Sequence, residues 1–433
     1  MLTILLSDVQ PLITNDAVVL GILMAILGLV FYTESLKSFE KFYKIIPSLL
    51  LCYFIPAILN TFDIISGHSS KLYFVASRYI LPASIILLCI STYLKGIFKL
   101  GPKALIMFFS GTFGIIIGGP IALYTVSFFA PEILSNNEMG DTWRGLSTIA
   151  GSWIGGGANM TAMKEISGTS TQLFSVMAII DVVCANIYMA FLLYSISKKD
   201  KINKFFKADA SSIESLKDKI QTYQISMKRI PTTTSLMIMF AVVFAFVGLS
   251  HYFSDIISPG IESHITEKLA NDKNSFWQYL TSLGSSFFWL VSFATIFGVA
   301  LSFTKAKKFE GIGASKFGSI FLYFLIATIG MEMNFLEIFK NWEALKYLFV
   351  VGFMWLTIHF LILVIVAKII KAPYFFLAIG SMSNVGGAAS APVVASAFHP
   401  SLASVAVLTA VLGYAIGTFG AYICMILLQL CCN

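Results

Sequence analysis

The stretch GSWIGGGANMTAM, from Gly151 to Met163, sits among long apolar runs, and a second stretch like it, SNVGGAASAPV, runs from Ser383 to Val393. Glycine inside a helix costs about 1 kcal/mol relative to alanine, so two such clusters in helix-forming sequence mark breaks. Setting Gly155 and Gly156 over Gly386 and Gly387, an offset of 231, also puts Ala158 on Ala389 and Asn159 on Ser390. Ahead of the clusters, an offset near 240 lays ILLCISTYLKGIFKLGPKAL along FLIATIGMEMNFLEIFKNWEAL. Each cluster is followed by a break and one long apolar run. Identities are few but the order of elements matches, which predicts an internal repeat.

Outside the clusters the chain reads as lipid-embedded helix. Of its 433 residues, 57% are hydrophobic and only 12% charged, against roughly half and a quarter in soluble domains. About twenty apolar residues cross a bilayer as a helix. Ten spans are expected, at 15–35, 45–62, 77–95, 103–128, 171–197, 232–251, 280–303, 317–333, 345–367 and 402–430. Segments 143–168 and 374–398 carry the glycine clusters. Met1 to Leu6 is apolar but lacks a basic leader and an A-x-A site, so a retained first helix is expected rather than a cleaved signal peptide. The six cysteines form no C-x-x-C and have no His pair nearby, which indicates neither a disulfide framework nor a zinc site. The net charge of +7 comes from lysines in loops beside helices, the positive-inside pattern, and not from a nucleic-acid surface.

The one long polar segment, 198–231, holds nine Lys and Arg against four Asp and Glu, and divides the chain into halves 1–197 and 232–433. Lys95, Lys99 and Lys103 place loop 95–103 in the cytoplasm. Its repeat partner 332–346, with Glu332, Glu337 and Glu343 against Lys340 and Lys346, is placed outside. Loop 129–144, with Glu132, Glu138 and Asp141 against Arg144, reads as outside, and its partner, with Lys368 and Lys371, as inside. Loop 62–77, with Asp63, Lys71 and Arg78, fits its outside placement poorly. Corresponding loops fall on opposite faces, which describes an inverted-topology repeat. With 129–144 outside and the basic linker inside, span 171–197 supplies the single crossing required. Segment 143–168 is then a re-entrant hairpin, and by symmetry 374–398 is another, entering from the cytoplasm. Two broken but fully crossing helices are the alternative. The expected fold class is an all-α membrane protein with about ten transmembrane helices and two Gly-rich re-entrant hairpins.

Irregular backbone survives at membrane depth only where protein buries it or it lines a cavity. Two tips entering from opposite faces can meet near the midplane, where inverted-repeat transporters hold substrate. Asn159 or Thr161 can cap the first restarting helix and Ser390 the second, with Pro392 in its opening turn. Both N-termini would then offer N–H groups to a carboxylate. Close packing of small residues is the plainer reading of either cluster alone. Asp181, mid-span in SVMAIIDVVCANIYMAF, costs roughly 2.5–3.5 kcal/mol at a helix centre. It needs Na+ held with oxygens of Asn186, Thr161 and Asn159, a proton, or a structural hydrogen bond. The repeat partner TAVLGYAIGTFG has no acid, so an ion site would be asymmetric. His359, in WLTIHFLILV, reads as a structural residue, and Lys164 and Glu165 as solvated charges at the outer interface.

GSWIGGGANMTAM and GSMSNVGGAASAPVVASAF, with this length and layout, resemble the YjcL-like bacterial integral membrane family over essentially the whole chain, a family that brings no assigned substrate. The layout is also similar to elevator-type secondary transporters with paired re-entrant hairpins, such as the sodium/glutamate and 2-hydroxycarboxylate symporters. Carried over by position, that resemblance implies substrate binding by Gly155, Gly156, Gly157, Asn159 and Thr161, and by Ser383, Asn384, Gly386, Gly387 and Ser390. Asp181 and Asn186 are the expected ion ligands. The function expected is secondary active transport of a small organic anion coupled to Na+ or H+, in the bacterial cytoplasmic membrane, with no cofactor and no enzymatic activity. The hairpins and the helices after them would form a mobile core. Spans 15–62 and 232–303 would form a scaffold and a homodimer contact. A channel, or an intramembrane enzyme using a serine with His359 as base, is the alternative; no H-E-x-x-H and no paired intramembrane acids select the enzyme.

Overall fold

Several helices of this apolar chain begin at a polar cap or end at a glycine. The computed structural model describes residues 11–43, 46, 48–67, 70–90, 101–134, 141–208, 229–272, 275–332, 342–398 and 402–432. The first half contains α1 (Asp16–Glu34), α2 (Ser48–Thr61), α3 (Leu72–Ile90), α4 (Pro102–Ser127), α5 (Thr142–Gly155), α6 (Gly157–Ser167) and α7 (Thr171–Ile196). The short α8 (Lys199–Phe206) opens the linker. The second half contains α9 (Thr233–Asn271), α10 (Ser286–Ser302), α11 (Ala314–Gly330), α12 (Trp342–Ile369), α13 (Tyr374–Val385), α14 (Gly387–Phe398) and α15 (Ala403–Cys432). Asn15 caps α1 by accepting from the Ala17 N–H at 2.9 Å, and Ser170 caps α7 by accepting from Leu173 at 3.2 Å. Gly168 closes α6 in the left-handed conformation, φ 67°.

Among the described residues, seven helices are long and apolar enough to cross a bilayer. An eighth counts if α10 is joined to the 3-10 helix Lys305–Ile312, to which it is bent by 94°. This is fewer than the ten expected spans. Segment 45–62 is α2, 14 residues or about 21 Å, and 317–333 is α11, 17 residues or about 26 Å. Both fall short of the roughly 30 Å hydrocarbon core. Much of their apolar character serves contact with other helices: Cys52, Tyr53 and Ala57 of α2 and Leu325 to Ile329 of α11 are buried. Span 232–251 instead continues to Asn271 as α9, which holds Pro259 inside it. Met1 to Leu6, Lys95, Lys99, Glu138, Glu337, Lys340 and linker residues 209–228 lie outside the described residues.

The helices sort into two packed groups. In the first, α1 lies on α2 and α11, just as α9 lies on α10 and α3. Likewise α2 packs on α11 as α10 packs on α3, and α3 meets α11 between them. This group therefore takes in α3 and α11 as well as the expected scaffold spans. The second group joins α4–α7 to α12–α15: α4 faces α12, α15 packs on α4 as α7 does on α12, and α5 packs on α7 as α13 does on α15. Small residues let α4 and α12 close up. A Cβ on Gly119 would stand 2.5 Å from the Trp355 ring, and one on Gly114 would stand 3.2 Å from the His359 Cα. Trp355 then donates its indole N–H to the Ile115 carbonyl at 2.8 Å.

Candidate functional site

Both glycine clusters turn the chain back on itself. Gly156 separates α5 from α6 with φ 76° and ψ −176°, a backbone region essentially open only to glycine. Gly151 of α5 lies against α6, its Cβ position 2.7 Å from the Asn159 carbonyl oxygen and 3.0 Å from Met163. A straight helix would hold residues 151 and 163 about 18 Å apart. At the open end of the pair, Arg144 donates to the Ser167 carbonyl and, at 2.8 Å, to the Asp141 carboxylate. The second pair, α13 and α14, folds back about Gly386 and Gly387, the latter with φ 57°. Its last residue, Phe398, meets Tyr374 and Phe375 at its start, with ring centroids 5.8 and 5.3 Å apart. The two turns touch: a Cβ on Gly387 would lie 3.9 Å from the Gly156 Cα.

Helix α15 braces the first turn. A Cβ on Gly417 would lie 2.7 Å from the Gly155 Cα, and the Tyr414 ring stands 3.4 Å from the Cβ position of Gly156. Across from it, Leu322 of α11 stands 3.6 Å from the Cβ position of Gly157. The sequence GYAIGTFG carries no acid. Its Gly413-x-x-x-Gly417 spacing is the signal that would have marked this small-residue face.

The residues expected to bind substrate divide into two kinds. Gly156, Gly157, Gly386 and Ser390 retain exposed surface at or beside the turns, while Gly155 and Gly387 are buried. Asn159, Thr161, Ser383 and Asn384 are buried and internally bonded. Asn159 donates to the Gly155 carbonyl at 2.6 Å and accepts from Thr418 at 2.7 Å. Thr161 donates to the Gly157 carbonyl at 2.9 Å, and Ser383 to that of Ala406 at 3.4 Å. Asn384 donates to the Phe108 and Gly380 carbonyls at 3.0 and 2.8 Å and accepts from Thr112 at 2.8 Å. None of the expected side-chain caps forms. Gly156 occupies the cap of α6 without a side-chain bond. The breaks fall earlier than expected, so Asn159, Thr161 and Ser390 lie inside the restarting helices and Pro392 lies within α14 rather than in its opening turn.

Asp181 of α7 is buried, and each of its carboxylate oxygens accepts a hydrogen bond. Its carboxylate accepts from Ser152 Oγ and from Trp153 Nε1, both at 2.6 Å and both on α5. The expected ion partners also bond elsewhere: the Asn186 amide N–H donates to the Val182 carbonyl of its own helix at 2.7 Å, the Asn159 oxygen accepts from Thr418, and the Thr161 hydroxyl donates to Gly157. Among the described residues, no group of three or more His, Cys, Asp or Glu could hold a metal ion.

His359 is a structural pin. A carbonyl can only accept, so in the neutral ring Nδ1 carries the proton donated to Gly111 at 2.9 Å, and Nε2 accepts from Ser381 at 2.8 Å. Ser381 in turn lies 2.6 Å from the Tyr188 hydroxyl. Lys164 and Glu165, expected as solvated charges, are instead packed against the first helix group. The Lys164 side chain is only 5% exposed. Its ammonium donates to the Tyr73 hydroxyl at 2.9 Å and lies 3.8 Å from both Glu165 and Glu332. Tyr73 also donates to Glu165, which lies 3.5 Å from Arg78. The partners come from α3 and the end of α11, too far away in sequence to be paired by spacing.

Apolar helices folded around two touching glycine turns define a multi-pass helical membrane protein. The chain belongs to the DUF819 family, whose model, described as a protein of unknown function, matches residues 21–430. It is also similar to the uncharacterized membrane protein YjcL of Bacillus subtilis (strain 168), at 24% identity over 365 residues covering 81% of this chain and 82% of that protein.

Proposed function

We propose that this protein is an elevator-type secondary transporter of a small organic anion, driven by Na+ or H+. The observation that carries this reading is the contact between the two folded-back helix pairs, Gly156 against Gly387. Read as re-entrant hairpins of an inverted repeat, they bring two helix N-termini to one place, and helix N-termini favour anions. The mirrored packing within each helix group supports the repeat. The group of α4–α7 and α12–α15 is the carrier, sliding against a scaffold of α1–α3 and α9–α11 that also forms the homodimer contact. Asp181, bonded to the arm of the first hairpin, is the proposed coupling residue, because its ionisation state alters the bonds to Ser152 and Trp153.

Purified protein in proteoliposomes, tested against a panel of organic acids under Na+ and pH gradients, decides the matter. Saturable uptake that follows one gradient, with matching thermal stabilisation by solute, is the expected result. Conductive flux without saturation would replace the carrier with a channel, and chemical conversion of the solute would replace it with an enzyme.

A further inference from the structure

Linker helix α8 carries a charge pattern that the transport reading does not use. Its inner side is set by Phe206, buried at 2% exposure, with Ile202 and Asn203 half-buried beside it. Lys201, Lys204 and Phe205 are exposed on the other side. The spacing explains this, since residues three and four apart share a helix face. The helix packs against α12 and α13. There the Lys368 ammonium lies 4.0 Å from the Phe205 ring centroid, and Lys103 donates to the Lys371 carbonyl at 3.0 Å. Phe205, Tyr194 and Ile369 expose 56, 66 and 72% of their surface at this same edge. Lysines set beside exposed aromatic and aliphatic groups suit a bilayer's headgroup boundary better than open water.

We propose that α8 and the adjoining ends of α4 and α12 form a binding surface for anionic phospholipid headgroups. Charge complementarity selects the occupant: Lys201 and Lys204 are exposed on α8, Lys368 lies over Phe205, Lys103 reaches the Lys371 carbonyl just before α13, and Asp200 is the one acid within α8. The same helix reaches the second folded-back pair. Asn203 Oδ1 accepts the Tyr374 N–H at 2.8 Å, satisfying one of the amide groups that a helix start leaves open. A headgroup that seats α8 therefore also seats the first turn of α13. This inference does not depend on the transporter reading.

Native mass spectrometry of the full chain with mixed phosphatidylglycerol and phosphatidylcholine tests the surface, and hydrogen exchange of residues 374–377 tests the coupling. Wild type should prefer phosphatidylglycerol. A juxtamembrane lysine is worth about fivefold in affinity for an anionic surface, so K201Q/K204Q should lose the preference by tenfold or more. Both side chains are exposed, so the double variant should keep its melting temperature in phosphatidylcholine. Phosphatidylglycerol should slow exchange at 374–377 in wild type, but not in the double variant. Asn203→Ala should keep the lipid preference and lose the slowed exchange. An unchanged preference in K201Q/K204Q overturns the surface. Competition by soluble glycerol phosphate as strong as by the lipid overturns the lipid assignment. Slowed exchange that persists in Asn203→Ala overturns the coupling.

Discussion

Gly156 is the residue on which the most depends. Its backbone conformation is denied to side chains by the φ of 76°, at a cost of about 1–3 kcal/mol. Alanine there should already lower the melting temperature, and valine should add bulk against Tyr414. If the touching turns enclose a solute, Gly156→Val and Gly387→Val should both abolish solute binding in protein that remains monodisperse. Stable variants that bind and transport normally would reduce both glycine clusters to packing motifs. Asp181 offers a second test. Asp181→Ala leaves the Ser152 hydroxyl and Trp153 indole without their acceptor in a buried site, which should cost about 2–4 kcal/mol of stability. Asp181→Asn keeps the shape and an acceptor, so it should insert and fold while losing gradient-driven uptake. Na+ and pH dependence identical to wild type in Asp181→Asn would remove this residue from the coupling step.

At the scale of elements, the contact of α6 with α3 and the end of α11 is built on ion pairs. Lys164 lies 3.8 Å from the carboxylates of both Glu165 and Glu332, and Arg78, 3.5 Å from Glu165, supplies the second positive charge. Removing one partner of a buried ion pair leaves the other uncompensated. Lys164→Met should therefore destabilise the protein by about 2–3 kcal/mol, a figure held below the fully buried range because both glutamates are 17% exposed. Lys164→Met combined with Glu332→Gln should recover part of that loss. Chemical or thermal melts of the two single variants and the double variant give the coupling energy. Strictly additive losses would mean that Lys164 and Glu332 do not act as a pair.

For the whole molecule, the expected topology makes a prediction about faces. In a cysteine-free background, single cysteines replacing Glu132 and Ser170 should label from outside, and those replacing Lys201 and Lys368 from the cytoplasm. If Ser170 labels from the face opposite Glu132, α5 and α6 together cross the bilayer and the re-entrant reading fails. The two helix groups can also be tied together. Phe288 of α10 and Tyr422 of α15 meet with ring centroids 5.0 Å apart and planes inclined by 50°. A flexible bifunctional maleimide bridging cysteines at these positions should stop uptake while leaving solute binding intact. Uptake at the wild-type rate with the bridge in place would show that the groups do not move apart.

The class of molecule was legible without coordinates, because apolar run length against bilayer thickness is a property of local composition. The two helix breaks were legible for a similar reason: Gly156 and Gly387 need backbone angles that other residues resist, so the turns leave a mark in the residue type itself. Tertiary structure decided what the polar side chains do. Asn159 looked like a ligand or a cap, and its amide is spent on Gly155 and on Thr418, 259 residues away. Lys164 looked solvated, and its partners lie on α3 and at the end of α11. A lone buried polar residue announces that it needs a partner, since desolvation without one is costly, but which partner it receives depends on how the helices pack. That is why Asp181 could be recognised from its place in an apolar helix as needing a partner, whereas Ser152 and Trp153 emerged as its donors only once α5 was laid beside α7.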